Sequence, residues 1–344
     1  MEKNLLKNGK IIFPNKLSIK NKINVGIIGS GKMAMEYIAV IRSFNHTLTC
    51  LFSPSDNKRA QLIAKKNKAK YLKDYKEVLL ADKVDVWIVC TSWHKLEEVF
   101  FKISKIKKPI LFEKSLTLRS SSINKVLKLK NFPSIKKMSF AYNRNYYDYI
   151  FFLCNFINKN LLTYGNAFFF DTYKYVSKKH KVPKFFIPNY ITSHWISLIF
   201  KVFKICNIKI IKIIKEDIEK SNKLNFKKIS IVAKLKKKKI KFDIFNFPDL
   251  PNNHSIKFFF NKNIVEISPI EKIKIFTSIN KKSKKNASNY FLKSVQKSVD
   301  NKFKPGLRFQ YYDFINHFHN KRKSVLTTSI KDLKKIYEVC ELLR

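Results

Sequence analysis

The sequence has little cysteine, little glycine and few long apolar runs. Its 5 cysteines among 344 residues are scattered and never form a C-x-x-C pair, which argues against a disulfide framework and predicts reduced thiols in a cytoplasmic protein. The most apolar stretch, WISLIFKVFKICNIKIIKII, is interrupted by lysine every few residues. A membrane helix needs about 20 consecutive apolar residues, so the sequence predicts no membrane partner.

Acidic residues are also scarce, since 24 Asp and Glu stand against 71 Lys and Arg and give a formal charge of +47. Such a balance is typical of proteins that bind nucleic acid. However, lysine, isoleucine, asparagine and phenylalanine are all enriched together, as in the products of AT-rich genomes, and there is no arginine-rich arm, zinc-finger spacing or aromatic RNA-binding motif. We therefore expect no specific nucleic-acid partner unless the basic residues cluster on one face.

The few glycines are concentrated near the N-terminus, where three of the 6 lie between Gly26 and Gly31. The apolar run 23–28 predicts a buried parallel strand, and a helical pattern begins at Lys32. A strand, a glycine turn and a helix with a small residue at Ala34 form the dinucleotide-binding pattern G-x-G-x-x-G/A. Its first glycine permits the tight turn and its second lets the backbone approach a pyrophosphate. The turn residues predicted to bind the cofactor are Gly29, Ser30, Gly31, Lys32 and Met33.

Strands and helices alternate up to residue 142, which predicts an α/β Rossmann domain with a doubly wound parallel sheet. Several strands then follow one another, which predicts a C-terminal α+β domain with an open, mainly antiparallel sheet and closing helices. The predicted divisions are an N-terminal lead (1–21), a dinucleotide-binding Rossmann domain (22–143) and a substrate-binding and oligomerisation domain (144–344). Within the second domain the pattern predicts a strand over 167–176 and a helix over 287–298.

The residues that follow the strands are candidates for the ligand site, because a doubly wound sheet binds ligands beyond the carboxyl ends of its strands. The second strand ends at Ser53, where an NAD-specific fold usually has an acidic residue for the ribose hydroxyls. Serine removes the charge that would repel a 2′-phosphate, and Lys58 and Arg59 could pair with one. The sequence thus favours NADP over NAD as cofactor and leaves both open. After the fourth and fifth strands, the predicted cofactor-binding residues are Thr91, Ser92, His94, Glu113 and Lys114.

These motifs resemble the Gfo/Idh/MocA family of NAD(P)-dependent oxidoreductases. The family pairs a Rossmann domain with a domain built on an open antiparallel sheet. Its G-x-G-x-x-G/A, T-P and E-K-P motifs correspond here to the glycine turn, Thr91-Ser92 and Glu113-Lys114-Ser115, with serine in place of the last proline. The resemblance implies hydride transfer between nicotinamide and a sugar, nucleotide sugar or cyclitol.

The resemblance also implies catalytic and substrate-binding roles for Lys114, the E-K-P lysine. An ammonium group there could lower the pKa of an alcohol or stabilise an alkoxide. The alternative is one more surface lysine.

His194 matches the family's catalytic histidine, which lies at the start of a second-domain helix, and could act as the acid or base. The family has an acidic residue four positions earlier, where this chain has Tyr190. Tyrosine can orient a substrate hydroxyl but cannot raise the pKa of the histidine as a carboxylate would. We predict catalytic and substrate-binding roles for both residues, with a structural role for His194 as the alternative.

The segment Tyr142-Asn143-Arg144 resembles the family's crossing into the second domain and is predicted to bind substrate. Arg144 could bind a carboxylate or phosphate or could brace the crossing. No histidine, cysteine or acidic cluster has the spacing of a metal site, so we predict no metal.

Two hypotheses of function follow from the sequence. The first is a cytoplasmic NAD(P)-dependent oxidoreductase that acts on a carbohydrate-like small molecule. The second is a dinucleotide-binding protein without redox turnover, which Tyr190 and Ser115 motivate because both depart from the family pattern. Either protein could form a homo-oligomer through the face of the C-terminal sheet.

Overall fold

The computed structural model describes residues 6–7, 10–11, 17–114, 116–117, 119–128, 135–216, 227–250, 253–269, 272–279, 289–297, 302–322, 324 and 326–344. Ser115 and most of the predicted lead at 1–21 lie outside these residues. Two short strands precede the main sheets, β1 (Leu6–Lys7) and β2 (Lys10–Ile11), and they pair with each other in antiparallel fashion.

The described residues form two compact units. The first comprises residues within Pro14–Tyr146 and Asp300–Glu338, and the second comprises residues within Leu5–Phe13, Tyr147–Val299 and Val339–Arg344. These two units are defined by their packing and not by their functions. The predicted division into cofactor and substrate domains therefore stays a prediction.

The first unit contains a parallel six-stranded sheet in the order β5-β4-β3-β6-β7-β8. Its strands are β3 (Asn24–Ile28), β4 (Thr47–Phe52), β5 (Lys70–Tyr71), β6 (Val86–Val89), β7 (Ile110–Glu113) and β8 (Met138–Ala141). The helices between them are α1 (Lys32–Ser43), α2 (Asn57–Lys66), α3 (Tyr75–Leu79), α4 (Trp93–Lys102) and α5 (Ser120–Leu127). The strand order reverses between β3 and β6, so these neighbours form the switch point at which such sheets bind their ligands.

The second unit contains an eight-stranded sheet in the order β10-β11-β12-β9-β13-β14-β15-β16. All neighbours are antiparallel except β12 and β9. The strands are β9 (Leu162–Phe169), β10 (Lys209–Glu216), β11 (Lys227–Leu235), β12 (Lys238–Asn246), β13 (Ser255–Phe260), β14 (Asn263–Ile267), β15 (Lys272–Ile279) and β16 (Asn289–Lys297). The predicted fold class, a Rossmann sheet plus an open and mainly antiparallel sheet, is confirmed.

Three helices of the second unit come before β10: α6 (Tyr149–Lys159), α7 (Tyr173–His180) and α8 (Ser193–Ile205). A π-helical turn, Pro188–Thr192, leads directly into α8. Only the first three residues of the predicted strand at 167–176 lie in a strand, because β9 ends at Phe169 and α7 begins at Tyr173.

The predicted helix at 287–298 is wrong. This segment contains β16, which pairs with β15 and with no other described strand and therefore lies at the edge of the described sheet. Its Leu292 and Val295 side chains are 55% and 45% exposed. An edge strand buries few apolar side chains, so the alternation that usually marks a strand is weak there.

Residues of the 300–338 segment pack against the first unit's Rossmann sheet and helices. The segment contains α9 (Leu307–Phe318) and most of α10 (Ile330–Leu342). The Tyr311 hydroxyl is 2.6 Å from His46 Nδ1, and the Phe140 N–H donates to the Thr328 carbonyl at 2.9 Å. The last helix begins directly after Ser329, whose hydroxyl accepts from the Asp332 N–H at 3.2 Å. In the part of the chain that the structure describes, no helix has the length and apolar character to cross a membrane.

Candidate cofactor and catalytic site

The glycine turn after β3 is built from backbone that only glycine allows. Gly29 has φ +130°, and a Cβ atom on it would lie 2.6 Å from the Cys90 carbonyl oxygen, just beyond β6. An L side chain would therefore meet both backbone strain and a clash. The Gly29 N–H donates to the Phe52 carbonyl at 2.7 Å. The turn is thus hydrogen-bonded to the end of β4 and lies against the backbone just beyond β6.

The second glycine of the turn, Gly31, faces open space. Gly31 is the N-cap of α1, and a Cβ atom on it would meet nothing within 4 Å among the described residues. No side chain caps this helix and no acidic residue lies in its first turn, where Lys32 is exposed and Met33 is half-buried. Helix N-termini with unsatisfied N–H groups and open space bind phosphates. The turn therefore fits a dinucleotide pyrophosphate.

The exit of β4 has a buried hydroxyl where many dinucleotide folds have a carboxylate. Ser53 is 1% exposed, and its Oγ accepts a hydrogen bond from Ser30 Oγ at 3.1 Å and one from the Asp56 N–H at 3.2 Å. Ser53 thus links the β4 exit to the glycine turn. Lys58 and Arg59 are both exposed in the first turn of α2, so the charged groups near this exit are the ones accessible to a ligand.

The exit of β6 provides polar groups on the other side of the switch point. Thr91 is half-buried, and its Oγ1 has no hydrogen-bond partner among the described residues. Ser92 and His94 are exposed, with Ser92 Oγ 3.3 Å from His94 Nε2. An orphaned buried hydroxyl beside exposed donors suits a polar ligand.

The exit of β7 places a carboxyl group among several polar side chains. Tyr37 Oη donates to Glu113 Oε1 at 3.1 Å and also lies 3.4 Å from Gln310 Oε1. Burial raises the pKa of the Glu113 carboxyl, although the charges of Lys304 and Lys114 and the hydrogen bond from Tyr37 all lower it. Lys114 is half-buried. Lys114 therefore follows a strand exit directly, and its charge acts on the neighbouring Glu113 carboxyl, unlike that of an isolated surface lysine.

The three predicted crossing residues differ in their accessibility. Tyr142 is 0% exposed and Asn143 is 7% exposed, and Asn143 Nδ2 donates to the Pro305 carbonyl at 2.8 Å. Arg144 is half-buried. Tyr142 and Asn143 thus belong to the packed framework of the first unit, which leaves Arg144 as the accessible member of the three.

In the second unit, the predicted acid or base His194 and the predicted substrate-orienting residue Tyr190 lie where the π-helical turn joins α8. His194 is the second residue of α8 and is half-buried. Tyr190, in the preceding π-helical turn, is also half-buried, and its ring centroid lies 5.4 Å from that of His180. The structure therefore brings Tyr190 and His194 onto one short turn, as their spacing predicts.

A buried carboxylate holds this turn, and the sequence analysis did not find it. Asp171 is 3% exposed and accepts a short hydrogen bond from Thr192 Oγ1, at the N-cap of α8. Its Oδ1 lies 3.6 Å from His254 Nε2, while His254 Nδ1 accepts from the Phe170 N–H at 3.0 Å. That bond requires Nδ1 to be unprotonated and places the ring proton on Nε2, facing Asp171. The sequence signal of this contact is weak, because Asp171 is only an acidic residue two positions after the end of β9 and no local pattern connects it with Thr192.

The second unit also has a cavity of about 410 Å³, lined by described residues that include Tyr173, Lys184, Phe185 and Arg344. None of the predicted site residues lines it. We therefore do not assign it to the predicted chemistry.

The sequence analysis also missed the residues that surround Glu113. Gln310 and Lys304 come from a segment almost 200 residues further along the chain, so no local pattern could connect them with β7. Tyr37 was recognisable only as an inward-facing residue of α1, one turn after Met33.

The parallel sheet in the Rossmann order, the open glycine turn and the polar strand exits define a dinucleotide-binding fold. Comparison with known families agrees, because residues 23–131 match the GFO_IDH_MocA model, described as "Oxidoreductase family, NAD-binding Rossmann fold". The resemblance inferred from the sequence is confirmed over this segment, which matches the Rossmann part of the Gfo/Idh/MocA oxidoreductase family. No curated protein sequence gives a significant match to the chain.

Several solved structures share the fold over nearly the whole chain. UDP-N-acetylglucosamine 3-dehydrogenase GnnA from Acidithiobacillus ferrooxidans is 12% identical, with a TM-score of 0.68 over 94% of this chain and 97% of that one. Myo-inositol dehydrogenase from Lactobacillus casei, in complex with NAD(H) and myo-inositol, is 14% identical, with a TM-score of 0.65 over 93% of each chain. A super-repressor mutant of Gal80p from Saccharomyces cerevisiae is 12% identical, with a TM-score of 0.69 over 93% of this chain and 94% of that one. At these identities the likeness concerns the fold alone.

Proposed function

We propose that the protein is an NAD(P)-dependent oxidoreductase that transfers a hydride between nicotinamide and a hydroxyl- or keto-bearing carbon of a sugar, nucleotide sugar or cyclitol. The observation that carries this proposal is the Glu113-Lys114 pair at the β7 exit, in the same Rossmann module as the open glycine turn at Gly31. A phosphate-binding turn alone supports binding, whereas an ammonium group beside the strand exits also supports chemistry on an alcohol.

The residues that would hold the cofactor come from four strand exits. When bound, nicotinamide supplies the hydride acceptor or donor. The N–H groups at the start of α1 bind the pyrophosphate, and the Lys114 ammonium stabilises negative charge on the substrate oxygen. The proposed cofactor-binding residues are Gly29, Ser30, Gly31, Lys32, Met33, Ser53, Lys58, Arg59, Thr91, Ser92, His94, Glu113 and Lys114.

His194 is the proposed acid or base for the substrate hydroxyl. A neutral imidazole takes the hydroxyl proton during oxidation and returns it during reduction, which contributes roughly 10²–10⁴ in rate. Tyr190 is proposed to orient the substrate through its hydroxyl group. We propose Arg144 as a further substrate contact, positioned by the buried side chains of Tyr142 and Asn143.

The proposed carbohydrate-like substrate rests on the known proteins that share the fold. One acts on a UDP-linked amino sugar and another is described with myo-inositol bound. Both ligands carry a secondary alcohol, which is the group that the proposed Lys114 and His194 roles require.

We propose NADP as the preferred form of the cofactor, with NAD as the alternative. Ser53 introduces no negative charge at the β4 exit, and the exposed side chains of Lys58 and Arg59 are cations that can pair with a 2′-phosphate. The double variant Lys58→Ala/Arg59→Ala should weaken NADPH binding and leave NADH binding unchanged. Equal affinities of the wild type for both cofactors would contradict this preference.

A second candidate function is dinucleotide binding without redox turnover. Two observations favour it: Tyr190 stands where the family has an acidic residue, and one protein with the same fold is described as a super-repressor and not as a dehydrogenase. The two candidates differ in turnover and not in binding.

The experiment that separates them combines cofactor titration with an assay of a panel of sugars, nucleotide sugars and cyclitols. The oxidoreductase proposal expects substrate-dependent formation or consumption of NADPH or NADH at 340 nm. Tight cofactor binding without turnover on any of the substrates would favour the second candidate.

Lys114→Ala tests the catalytic assignment on whichever substrate the panel identifies. We expect turnover to fall by about 10²–10³ because one oxyanion-stabilising group is removed, with cofactor affinity within threefold of the wild type. Lys108→Ala, at an exposed lysine just before β7, is the matched control and should keep full turnover. Unchanged turnover in Lys114→Ala would refute the role of this residue.

We also propose a homo-oligomer that forms through the face of the eight-stranded sheet. Half-buried aromatic rings stack on this face, with Phe168 and Phe245 at 4.9 Å and 7°, and Phe170 and Phe247 at 5.2 Å and 13°. A second copy would cover this aromatic surface. Light scattering should show that Phe245→Lys dissociates the oligomer and that Leu62→Lys, at a residue 69% exposed in the first unit, does not. A monomeric wild type would contradict the proposal.

A cytoplasmic location is part of the proposal. All five cysteines are free and buried, which is consistent with a reducing compartment.

A further inference from the structure

Lys304 lies against the first turn of the glycine-loop helix. Its Nζ is 3.3 Å from the Sδ of Met33, the second residue of α1. A thioether is only a weak acceptor, so this contact leaves most of the hydrogen-bonding capacity of the ammonium group unused. Lys304 is exposed and forms no salt bridge with the residues that the structure describes.

The charge of Lys304 also acts on the β7 exit. Of the charged groups that lower the pKa of the Glu113 carboxyl, Lys304 has the largest effect, ahead of Lys114. The same ammonium group therefore lies against the phosphate-binding helix, and its charge acts on the carboxyl next to Lys114. This is the crevice where a doubly wound sheet binds a dinucleotide.

The backbone around Lys304 is held in place. The carbonyl of Pro305 accepts from Asn143 Nδ2 at 2.8 Å, and the Lys304 carbonyl accepts from the Leu307 N–H at 3.0 Å. Gly306, with φ +76°, then starts α9. A cation on a fixed backbone loses less conformational entropy when it binds an anion than one on a mobile loop.

We infer that Lys304 is a cofactor-binding residue whose ammonium group binds the pyrophosphate of the dinucleotide. This inference rests on the proposed function, because it requires a dinucleotide at the glycine turn. Lysine is a common phosphate ligand as a point charge, and the start of α1 offers N–H groups to the same anion. The cofactor site is thus completed by a residue that follows Tyr147–Val299, the largest segment of the second unit, in the sequence.

The test is a fluorescence titration with NADH and NADPH, together with calorimetric titration of ADP-ribose, at low and at moderate ionic strength. Lys304→Ala should raise the Kd about tenfold for all three ligands, because each contains the pyrophosphate. The affinity of this variant should also depend less on salt than that of the wild type, since one ion pair is lost. Lys304→Arg should stay within threefold of the wild type. Lys302→Ala, at another exposed lysine of the same segment, should bind as the wild type does.

Three outcomes would overturn the inference. If Lys304→Ala binds all three ligands with wild-type affinity, Lys304 does not contact the pyrophosphate. A loss confined to NADPH would place Lys304 at the 2′-phosphate, and a loss for the dinucleotides but not for ADP-ribose would place it at the nicotinamide end. A wild type that binds none of the three would instead refute the proposed function itself, so the two failures are distinguishable.

Discussion

The glycine turn and the turn before His194 are stabilised in different ways. The glycine turn is determined by backbone geometry, because Gly29 has a positive φ and lies against the backbone at Cys90. The turn at 188–192 is held by side chains from elsewhere in the sequence, since Asp171 follows β9 and His254 precedes β13. The first turn therefore tolerates almost no substitution at one residue, whereas the second depends on a network of partners.

This difference has a functional counterpart in the proposed enzyme. A pyrophosphate is the same in every dinucleotide, so a backbone cradle suits it. Substrates differ, and side-chain networks can be altered without rebuilding the fold. We therefore expect the cofactor turn to respond sharply to small changes and the His194 turn to respond in proportion to the bonds removed.

The largest effect is expected from Gly29→Ala. The added methyl group meets the Cys90 carbonyl and forces an unfavourable φ, which should lower the free energy of unfolding by about 3 kcal/mol or more in urea denaturation. Gly31→Ala is the matched control, since its methyl group meets no described atom within 4 Å. It should cost about 1 kcal/mol or less but weaken cofactor binding at least tenfold, because the methyl group occupies the ligand's space. Equal stabilities of the two variants would break the backbone explanation.

A slightly smaller effect is expected from Asp171→Ala. It removes the acceptor of the Thr192 hydroxyl in a buried site, which should lower the free energy of unfolding by about 2–3 kcal/mol. Asp249→Asn removes an exposed charge of the same unit, keeps an acceptor for the Lys174 N–H and fits the positive φ of this residue, so it should cost less than about 1 kcal/mol. If both variants lose the same stability, the turn before His194 is not held by Asp171.

The third effect is the pH dependence of stability that His46 of the first unit causes. Burial lowers the pKa of His46 to about 4, against a raising contribution from its bond to the Asn21 backbone, whereas an unfolded histidine titrates near 6.5. The neutral ring therefore stabilises the fold above pH 6.5, and this stabilisation is lost as the pH falls towards 4. Between pH 7 and pH 5 we expect a loss of about 2 kcal/mol. In His46→Gln, the free energy of unfolding from urea denaturation should lack this loss between pH 7 and pH 5. The same pH dependence in the variant and the wild type would contradict the role of His46.

The smallest effect is expected from Glu216 of the second unit and again concerns the pH dependence of stability. Hydrogen bonds from Lys228 and Ser230 lower the pKa of Glu216 to about 2. Its stabilising contribution is present above the unfolded pKa near 4.5 and is lost as the pH falls towards 2. The side chain is 33% exposed, so solvent screening reduces the contribution below that of His46. Glu216→Gln should flatten the stability curve between pH 5 and pH 3 and leave the range from pH 7 to pH 5 unchanged.

The features that the sequence predicted are those with local causes. The glycine turn and the strand–helix alternation follow from glycine geometry and apolar periodicity over short windows. The position of Glu113-Lys114 follows from the end of a buried strand. The edge strand β16 and the helix α7 were missed because exposure and tertiary pairing, not local pattern, decide them. The contacts of Asp171 with Thr192 and of Lys304 with Met33 join distant positions, and no single-sequence signal connects them.

The packing of 300–338 with the first unit has a consequence for the order of synthesis. The largest segment of the second unit, Tyr147–Val299, lies between two segments of the first unit, so the strands of the Rossmann sheet are synthesised well before Gln310 and Tyr311. At translation rates of about 5–20 residues per second, roughly 10–30 s separate the two events. During that interval His46 and Tyr37 lack their contacts with Tyr311 and Gln310. Part of the core of the nascent first unit therefore stays exposed until the 300–338 segment is made, and the proposed cofactor site, which includes Lys304, is completed only then.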